Sequence, residues 1–235
     1  MSERPFNLAI ETSTRAGSIS LGRGDEFLAT VPLHRPQRHN LDLIPAVDKL
    51  FRACGASSGQ LREVYVCAGP GSFTGLRIGV AAAKMFAMVG GVKLVAVPAA
   101  QAIACNAPLE AEHVAVCLIP KAEQFHTSVY ARRGTQLHLA AEPRRQSLTD
   151  LLRSARRPLT VITTDTASVP PDTGADGQVC LLPPSFADPS SENVWKLGRA
   201  AAAQGRFADP MELAPLYGRP PEAVEIWEQR KAGAR

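Results

Sequence analysis

The order of apolar patterns predicts an α/β protein built as two units of related design, each opening with an antiparallel meander and closing with strand–helix units. Three observations predict it. After a short buried run at Leu8–Ile10, apolar residues alternate with period two over Ser18–Leu21 and Phe27–Val31. Helical spacing and continuous apolar runs of strand length then follow one another. After Asn106-Ala107-Pro108 the same succession restarts. Period-two alternation marks half-buried strands, and i, i+3, i+4 recurrence marks amphipathic helices. Short unbroken apolar runs mark strands buried on both faces, as in a parallel sheet core.

Leu8-Ala9-Ile10 is read as the first strand, followed by the polar turn Glu11-Thr12-Ser13-Thr14. Ser18–Leu21 and Phe27–Val31 alternate and complete a three-stranded meander. Leu41, Ile44, Val47, Leu50 and Phe51 recur at helical spacing from about Asn40, and Gly55 bounds the helix. Val64–Ala68 is a buried strand that runs into Gly69-Pro70-Gly71-Ser72-Phe73-Thr74-Gly75, and an alanine-rich helix follows to about Met88. Gly90-Gly91 stops that helix, and Leu94–Val97 is another buried strand. Such an order gives a mixed sheet with a parallel core.

In the second unit, Val114–Ile119, Thr127–Ala131 and Gln136–Ala140 are expected strands. A short helix over Leu148–Leu152 and a strand over Leu159–Ile162 follow. Pro170–Pro189 is a polar loop interrupted by a strand over Val179–Leu182, and Asn193–Ala203 is a helix. The likeness of the two units lies in element order, not in repeated residues. The tail from Pro220 is charged and expected to be loosely held.

The chain's 235 residues suffice for one large domain or two small ones. Hydrophobic content of 45% with 20% charged residues excludes the disordered class. A net charge of +4 permits contact with nucleic acid without arguing for it. The N-terminus lacks the apolar core of a secretory signal. Lys84, Lys93 and Pro98 interrupt the apolar stretch from Ile78 to Ala104, so no membrane span is expected. Cys54, Cys67, Cys105, Cys117 and Cys180 are widely spaced, and none forms a Cys-x-x-Cys pair. Neither a disulfide framework nor a zinc cluster is indicated, and the cytoplasm is the expected compartment.

The glycine segment is the main candidate for chemistry. Glycines permit close backbone approach, Ser72 or Thr74 can cap the following helix, and a helix N-terminus beside a polar loop is a potential anion site. Two named phosphate motifs fail. Gly75 is followed by Leu76-Arg77 where a P-loop requires Gly-Lys-Ser/Thr. A dinucleotide fingerprint needs a small residue where Thr74 stands and an acidic residue where Val97-Pro98 stands. A tight strand-to-helix turn without a ligand is the alternative. Gly75, Gly79 and Ala83 fall on one helix face, which lets another helix approach, within the chain or from a partner. Arg77 lies on a different face, open to solvent or to an anion.

These residues together resemble the TsaB family, which is related to the TsaD subunits and is glycoprotease-like. The match runs over Gly69-Pro70-Gly71-Ser72-Phe73-Thr74-Gly75-Leu76-Arg77-Ile78-Gly79. Ile10-Glu11-Thr12-Ser13-Thr14 is similar to the family's opening Ile-Asp-Thr-Ser-Thr, His39 with Leu43-Ile44-Pro45 to its first helix, and Pro215-Leu216-Tyr217 to an element near its C-terminus. The good match covers about the first 105 residues.

The resemblance implies an actin-like ATPase (ASKHA) fold of two RNase H-like subdomains with mixed sheets flanked by helices. Residues 1–106 with 190–235 would form the N-terminal domain and 107–189 a smaller second one. It implies a non-catalytic subunit that supports a TsaD-type enzyme in making threonylcarbamoyladenosine at position 37 of tRNA. Expected partners are that enzyme, a TsaE-type ATPase and, for the chain alone, a second copy, with tRNA touched only indirectly and no membrane. No cofactor is expected in the isolated chain, and ATP or ADP only in complex with the partner.

The interface expected on this reading is the helix from Thr74 beside the helix from Asn40, through Leu43, Val47, Gly75, Gly79, Ala82, Ala83 and Phe86. Gly79→Arg is then expected to abolish association and leave the fold intact. Glu11, Thr12, Gly71, Ser72, Thr74 and Arg77 form the candidate anion or nucleotide-type loop.

Departures from the relatives weigh against catalysis. The acidic residue after the first strand is Glu11 where the family has Asp, and its extra methylene would displace a carboxylate serving a metal or phosphate. The family's Ile-Asp-Ala-Arg stretch appears as Ile119-Pro120-Lys121-Ala122. The catalytic relatives hold a metal with a histidine pair on a helix. Among His34, His39, His113, His126 and His138 no two are spaced i, i+4, and Arg35-Pro36 separates the first two. No catalytic residue and no metal ligand is therefore assigned. A metal-dependent peptidase and an actin-like small-molecule kinase are the alternatives. Direct RNA binding is a further one, on Arg132, Arg133, Arg144, Arg145, Arg153, Arg156 and Arg157. Against it stands a solvated basic face, since no RNA-binding signature or stacking platform accompanies these arginines.

Overall fold

The computed structural model describes residues 4–33, 39–121, 123–218 and 227. Its first sheet contains β1 (Phe6–Glu11), β2 (Ser18–Arg23), β3 (Glu26–Pro32), β4 (Leu61–Gly69) and β5 (Lys93–Pro98) in the order β3-β2-β1-β4-β5. Strands β1, β2 and β3 pair antiparallel, whereas β1, β4 and β5 pair parallel. The second sheet contains β6 (His113–Lys121), β7 (Gln124–Arg133), β8 (Gln136–Leu139), β10 (Leu159–Thr163) and β11 (Val179–Leu181) in the order β11-β10-β6-β7-β8. A short strand β9 (Arg144–Ser147) pairs with the other half of β7. Strands β6, β7, β8, β10 and β11 thus stand in the second sheet as β1, β2, β3, β4 and β5 stand in the first. The two mixed sheets agree with the α/β reading of the sequence.

Helices α1 (His39–Ala53) and α2 (Phe73–Gly90) cover one face of the first sheet. Their buried residues Leu43, Val47, Leu50 and Val80 belong to the interior beneath them, with Leu8, Ile10, Val64 and Val66 of the sheet. Ser72 caps α2, accepting a bond from the Gly75 amide, and Gly91 ends it in the left-handed conformation at φ 64°. By length and composition α2 would suffice to cross a membrane. It carries Arg77 and Lys84, however, and its buried side lies on the sheet as an ordinary core helix.

The opposite face is covered by α5 (Ser191–Ala203), which returns from the end of the second unit to the first sheet. Its Trp195 indole donates to the Asn7 side chain inside the protein. Helix α3 (Ala99–Ala104) lies between the two sheets. Ala99 and Ala102 join the first unit, and Ala100, Ile103 and Ala104 join the second. Because α3 is buried on both sides it shows no amphipathic period, and the sequence pattern did not reveal it. Strand β9 was missed for the opposite reason: among its residues Arg-Arg-Gln-Ser only Gln146 is buried. Helix α4 (Leu148–Ser154) packs Leu148 and Leu151 on the outer face of the second sheet. The charged tail beyond Gly218, and His34, lie outside the described residues apart from Trp227.

Candidate functional site

Strands β1 and β4 run parallel and adjacent, so the polar turn after β1 meets the glycine segment after β4. The Ser72 amide donates to the Ser13 carbonyl at 2.7 Å. The Thr12 hydroxyl donates to the Gly75 carbonyl at 2.8 Å. Ser72, not Thr74, is the cap, its hydroxyl accepting from the Gly75 amide at 3.3 Å. A Cβ at Gly75 would stand 1.9 Å from the Thr12 carbonyl oxygen, and one at Gly79 would stand 2.4 Å from the Thr12 hydroxyl. The small-residue face of α2 therefore exists to let the helix sit on the β1 turn.

The structure places the residues expected at the interface as follows. Leu43, Val47, Gly75, Gly79 and Ala83 are buried within the first unit. Ala82 and Phe86 are partly buried and pack against the same interior. A helical stripe looks the same whether its partner is internal or external, and here Gly75, Gly79 and Ala83 meet their own chain. Gly79→Arg would drive a side chain into Thr12 and disturb the fold instead of testing docking alone.

Glu11 is fully buried. Its Oε1 accepts from the Ser13 hydroxyl at 2.7 Å and from the Ser13 amide, and its Oε2 has no partner. Burial raises its pKa to about 6, against the opposing effect of bonds from Cys67 and Ser13. The buried Cys67 thiol is itself raised well above its ordinary value by burial and then by the Glu11 charge. The Glu11 carboxylate is thus sealed under the turn.

A cleft of about 910 Å³ opens between the two sheets, lined by Ser13, Arg15, His39, Gly71, Ser72 and Thr74 on one side and Leu118, Ile119 and Pro120 on the other. His39 fixes its rim through a bond between Nε2 and the Thr14 carbonyl at 2.8 Å. Ile119 holds φ at 54°, which a β-branched residue rarely adopts. The cleft has the room for a nucleotide, but part of the candidate loop is turned away from it. Thr12 and Glu11 are buried away from it, and the Ser72 and Gly75 amides are already bonded within the turn. Of the candidate loop residues, Gly71, Ser72 and Thr74 face the cleft together.

Arg77 is neither free nor aimed at the cleft. Its guanidinium stacks 3.9 Å above the Phe73 ring, and its Nε donates to the Tyr217 hydroxyl at 3.1 Å. Tyr217 stacks on Phe73 with ring centroids 4.7 Å apart. The segment before it crosses the end of β4: the Leu216 amide donates to the Ala68 carbonyl at 2.7 Å, and Gly218 lies against Pro70 and Ile119. The sequence signalled this strap only as Pro215-Leu216-Tyr217, with no indication of what it touches.

Among the described residues no three His, Cys, Asp or Glu side chains come together in a way that could hold a metal ion.

Residues 27–167 match the family described as "TsaD: tRNA N6-adenosine threonylcarbamoyltransferase". The tRNA threonylcarbamoyladenosine biosynthesis protein TsaB of Bacillus subtilis is 28% identical over 163 residues, 68% of this chain and 71% of that protein. TsaB of Escherichia coli is 35% identical over 81 residues, 34% of this chain and 35% of that protein. Among solved structures, YeaZ from Pseudomonas aeruginosa superposes with a TM-score of 0.75 at 22% identity, covering 90% of this chain and 100% of that one. At that identity the likeness speaks for the fold.

Proposed function

The chain belongs to the TsaD family, tRNA N6-adenosine threonylcarbamoyltransferase, where its relatives are TsaB proteins, and from that premise we propose that it is a non-catalytic partner subunit for threonylcarbamoyladenosine formation in tRNA. The observation that carries the reading is how the helix pair divides its residues. The small-residue face of α2 is spent on the β1 turn, yet the helices still expose large apolar side chains. Leu41 and Ile44 on α1 are 52% and 46% exposed, and Met85, Met88 and Val89 on α2 are 46%, 69% and 86% exposed. Exposed apolar surface of this kind suits contact with another protein. We infer a TsaD-type enzyme as that protein, with a second copy of this chain in its place when the enzyme is absent.

The glycine turn supports the absence of chemistry. Its hydroxyls and amides hold α2 against β1, and Glu11 is closed off from the cleft. A nucleotide would find the Gly71, Ser72 and Thr74 edge and Arg15, with Asp188 instead of Glu11 as the carboxylate on the cleft wall. ATP or ADP is accordingly assigned to the complex with the enzyme and a TsaE-type ATPase. The cytoplasm is the compartment proposed with this reading.

Co-purification with the TsaD-type enzyme of the same organism tests the reading. The double variant Met85→Glu, Met88→Glu should lose capture of the enzyme and keep its circular dichroism spectrum. Full capture by that variant would exclude α2 as the docking helix. No capture by the unaltered chain would overturn the partner role.

A further inference from the structure

The fold sorts the seven arginines of the second unit into two groups. Arg132 donates to the carbonyls of Ala111 and Pro108 at 2.9 and 3.1 Å. Arg145 donates to the Gly218 carbonyl at 3.3 Å. Arg153 pairs with Asp150, and Arg157 with Asp176. The other three, Arg133, Arg144 and Arg156, line one groove of about 430 Å³ on the α4 side of the second sheet.

The groove exists because a helix is short. On the first sheet α1 runs 15 residues, whereas its counterpart α4 runs 7. The face of β7 and β8 is left bare, with Val129, Ala131 and Leu139 along it. Arg144 is held in place there. Its Nε donates to Gln146 Oε1 at 2.9 Å and its Nη2 to Ser154 Oγ at 3.3 Å. Gln146 is itself anchored on the buried Thr127 hydroxyl at 2.8 Å. Among the described residues, Arg133 and Arg156 have no ion-pair partner. His113 and His138 also line the groove, and Glu142 is its one acidic side chain among the lining residues.

We propose that this groove takes the phosphodiester backbone of tRNA, so that the chain contacts the RNA directly. The inference rests on the proposed role in tRNA modification and departs from the indirect contact expected from the sequence. Guanidinium groups pair with phosphate through two N–H donors at once, and a pre-positioned fork such as that of Arg144 loses little freedom on binding. Three arginines against one glutamate leave the groove positive, and its lining mixes apolar and hydrogen-bonding side chains, which suits a charged backbone with its ribose. No Phe, Tyr or Trp side chain lines the groove, so the contact is assigned to backbone and shape instead of sequence.

The test titrates the full chain against a fluorescently labelled unmodified tRNA transcript over a range of salt. Three phosphate contacts give a log–log salt slope of about 2 to 3, and affinity about 40-fold weaker at 200 mM than at 50 mM salt. The surface variant Arg133→Gln, Arg156→Gln should reduce the slope by about 2, and Arg206→Gln, an exposed site elsewhere, should leave it unchanged. Three results would overturn the proposal: no tRNA binding at low salt, equal binding by the double variant, or competition by polyglutamate as effective as that by unlabelled tRNA. Capture of the TsaD-type enzyme by the same double variant separates the two readings. Retained capture with lost RNA binding supports the groove, and retained capture with unaltered RNA binding sinks the groove alone.

Discussion

Thr12 grips Gly75 at two points: its hydroxyl donates to the Gly75 carbonyl at 2.8 Å, and its own carbonyl oxygen would stand 1.9 Å from any Cβ placed on Gly75. The neighbouring atom is backbone, so it cannot rotate away. Gly75→Ala should therefore force α2 off the β1 turn and cost about 3 kcal/mol, the upper end for overpacking. Urea denaturation should register it as a lower midpoint with an unchanged slope. A loss below about 0.5 kcal/mol would mean that α2 can shift freely.

Glu11 makes a pH prediction whose sign is unusual for a carboxylate. Its folded-state pKa of about 6 lies above the ordinary 4.5, so the folded protein holds the proton more tightly than the unfolded chain. Stability from this group is present below about pH 4.5 and declines as pH rises to about 6, by about 2 kcal/mol in all. Glu11→Gln removes the titration. The stability difference between variant and parent should shift by that amount in the variant's favour across this interval, as read from melts at a series of pH values. A difference that does not change with pH would mean that the carboxylate titrates at its ordinary value.

Tyr217 fastens the strap to α2 through Phe73 and Arg77. Tyr217→Ala should cost about 1 kcal/mol, the scale of one exposed aromatic pair with a cation above it. Hydrogen exchange at the Leu216 amide, which bonds to the Ala68 carbonyl, should accelerate. Tyr217→Phe keeps the stack and should show a smaller change. Unaltered exchange in the alanine variant would mean that the strap is held by its backbone bonds alone.

Met88 is 69% exposed on α2, and Val89 beside it is 86% exposed. Met88→Glu removes no buried contact and should change stability by less than about 0.5 kcal/mol. If α2 docks a second copy when the enzyme is absent, the same change should move the protein toward the monomer in sedimentation experiments. An unchanged oligomeric state would take this helix out of the self-association.

Much of the fold was legible because burial leaves a period. The meander of β1 to β3, the helices α1, α2 and α5 and the buried runs of β4 and β5 all carry a one-sided or two-sided apolar pattern. Helix α3 and strand β9 carry neither, since one is buried all round and the other is polar nearly throughout. In the candidate site, the glycine turn was legible as a turn, and Ser72 and Thr74 remained equal candidates for its cap until geometry chose Ser72.

The sequence by itself determined the element order, the position of the strand-to-helix turn and, through the Gly69–Gly79 segment, the resemblance to TsaB proteins. Tertiary structure alone decided what each feature faces. It turned Gly75 and Gly79 inward onto Thr12, sealed Glu11 under Ser13, tied Arg77 to Tyr217 across 140 residues of chain, and gathered Arg133, Arg144 and Arg156 while committing the other four arginines elsewhere. The physical reason is that periodicity records which side of an element leaves water. It does not record the identity of the partner, because a small-residue stripe or a basic cluster satisfies packing and charge equally well against its own chain, another chain or solvent.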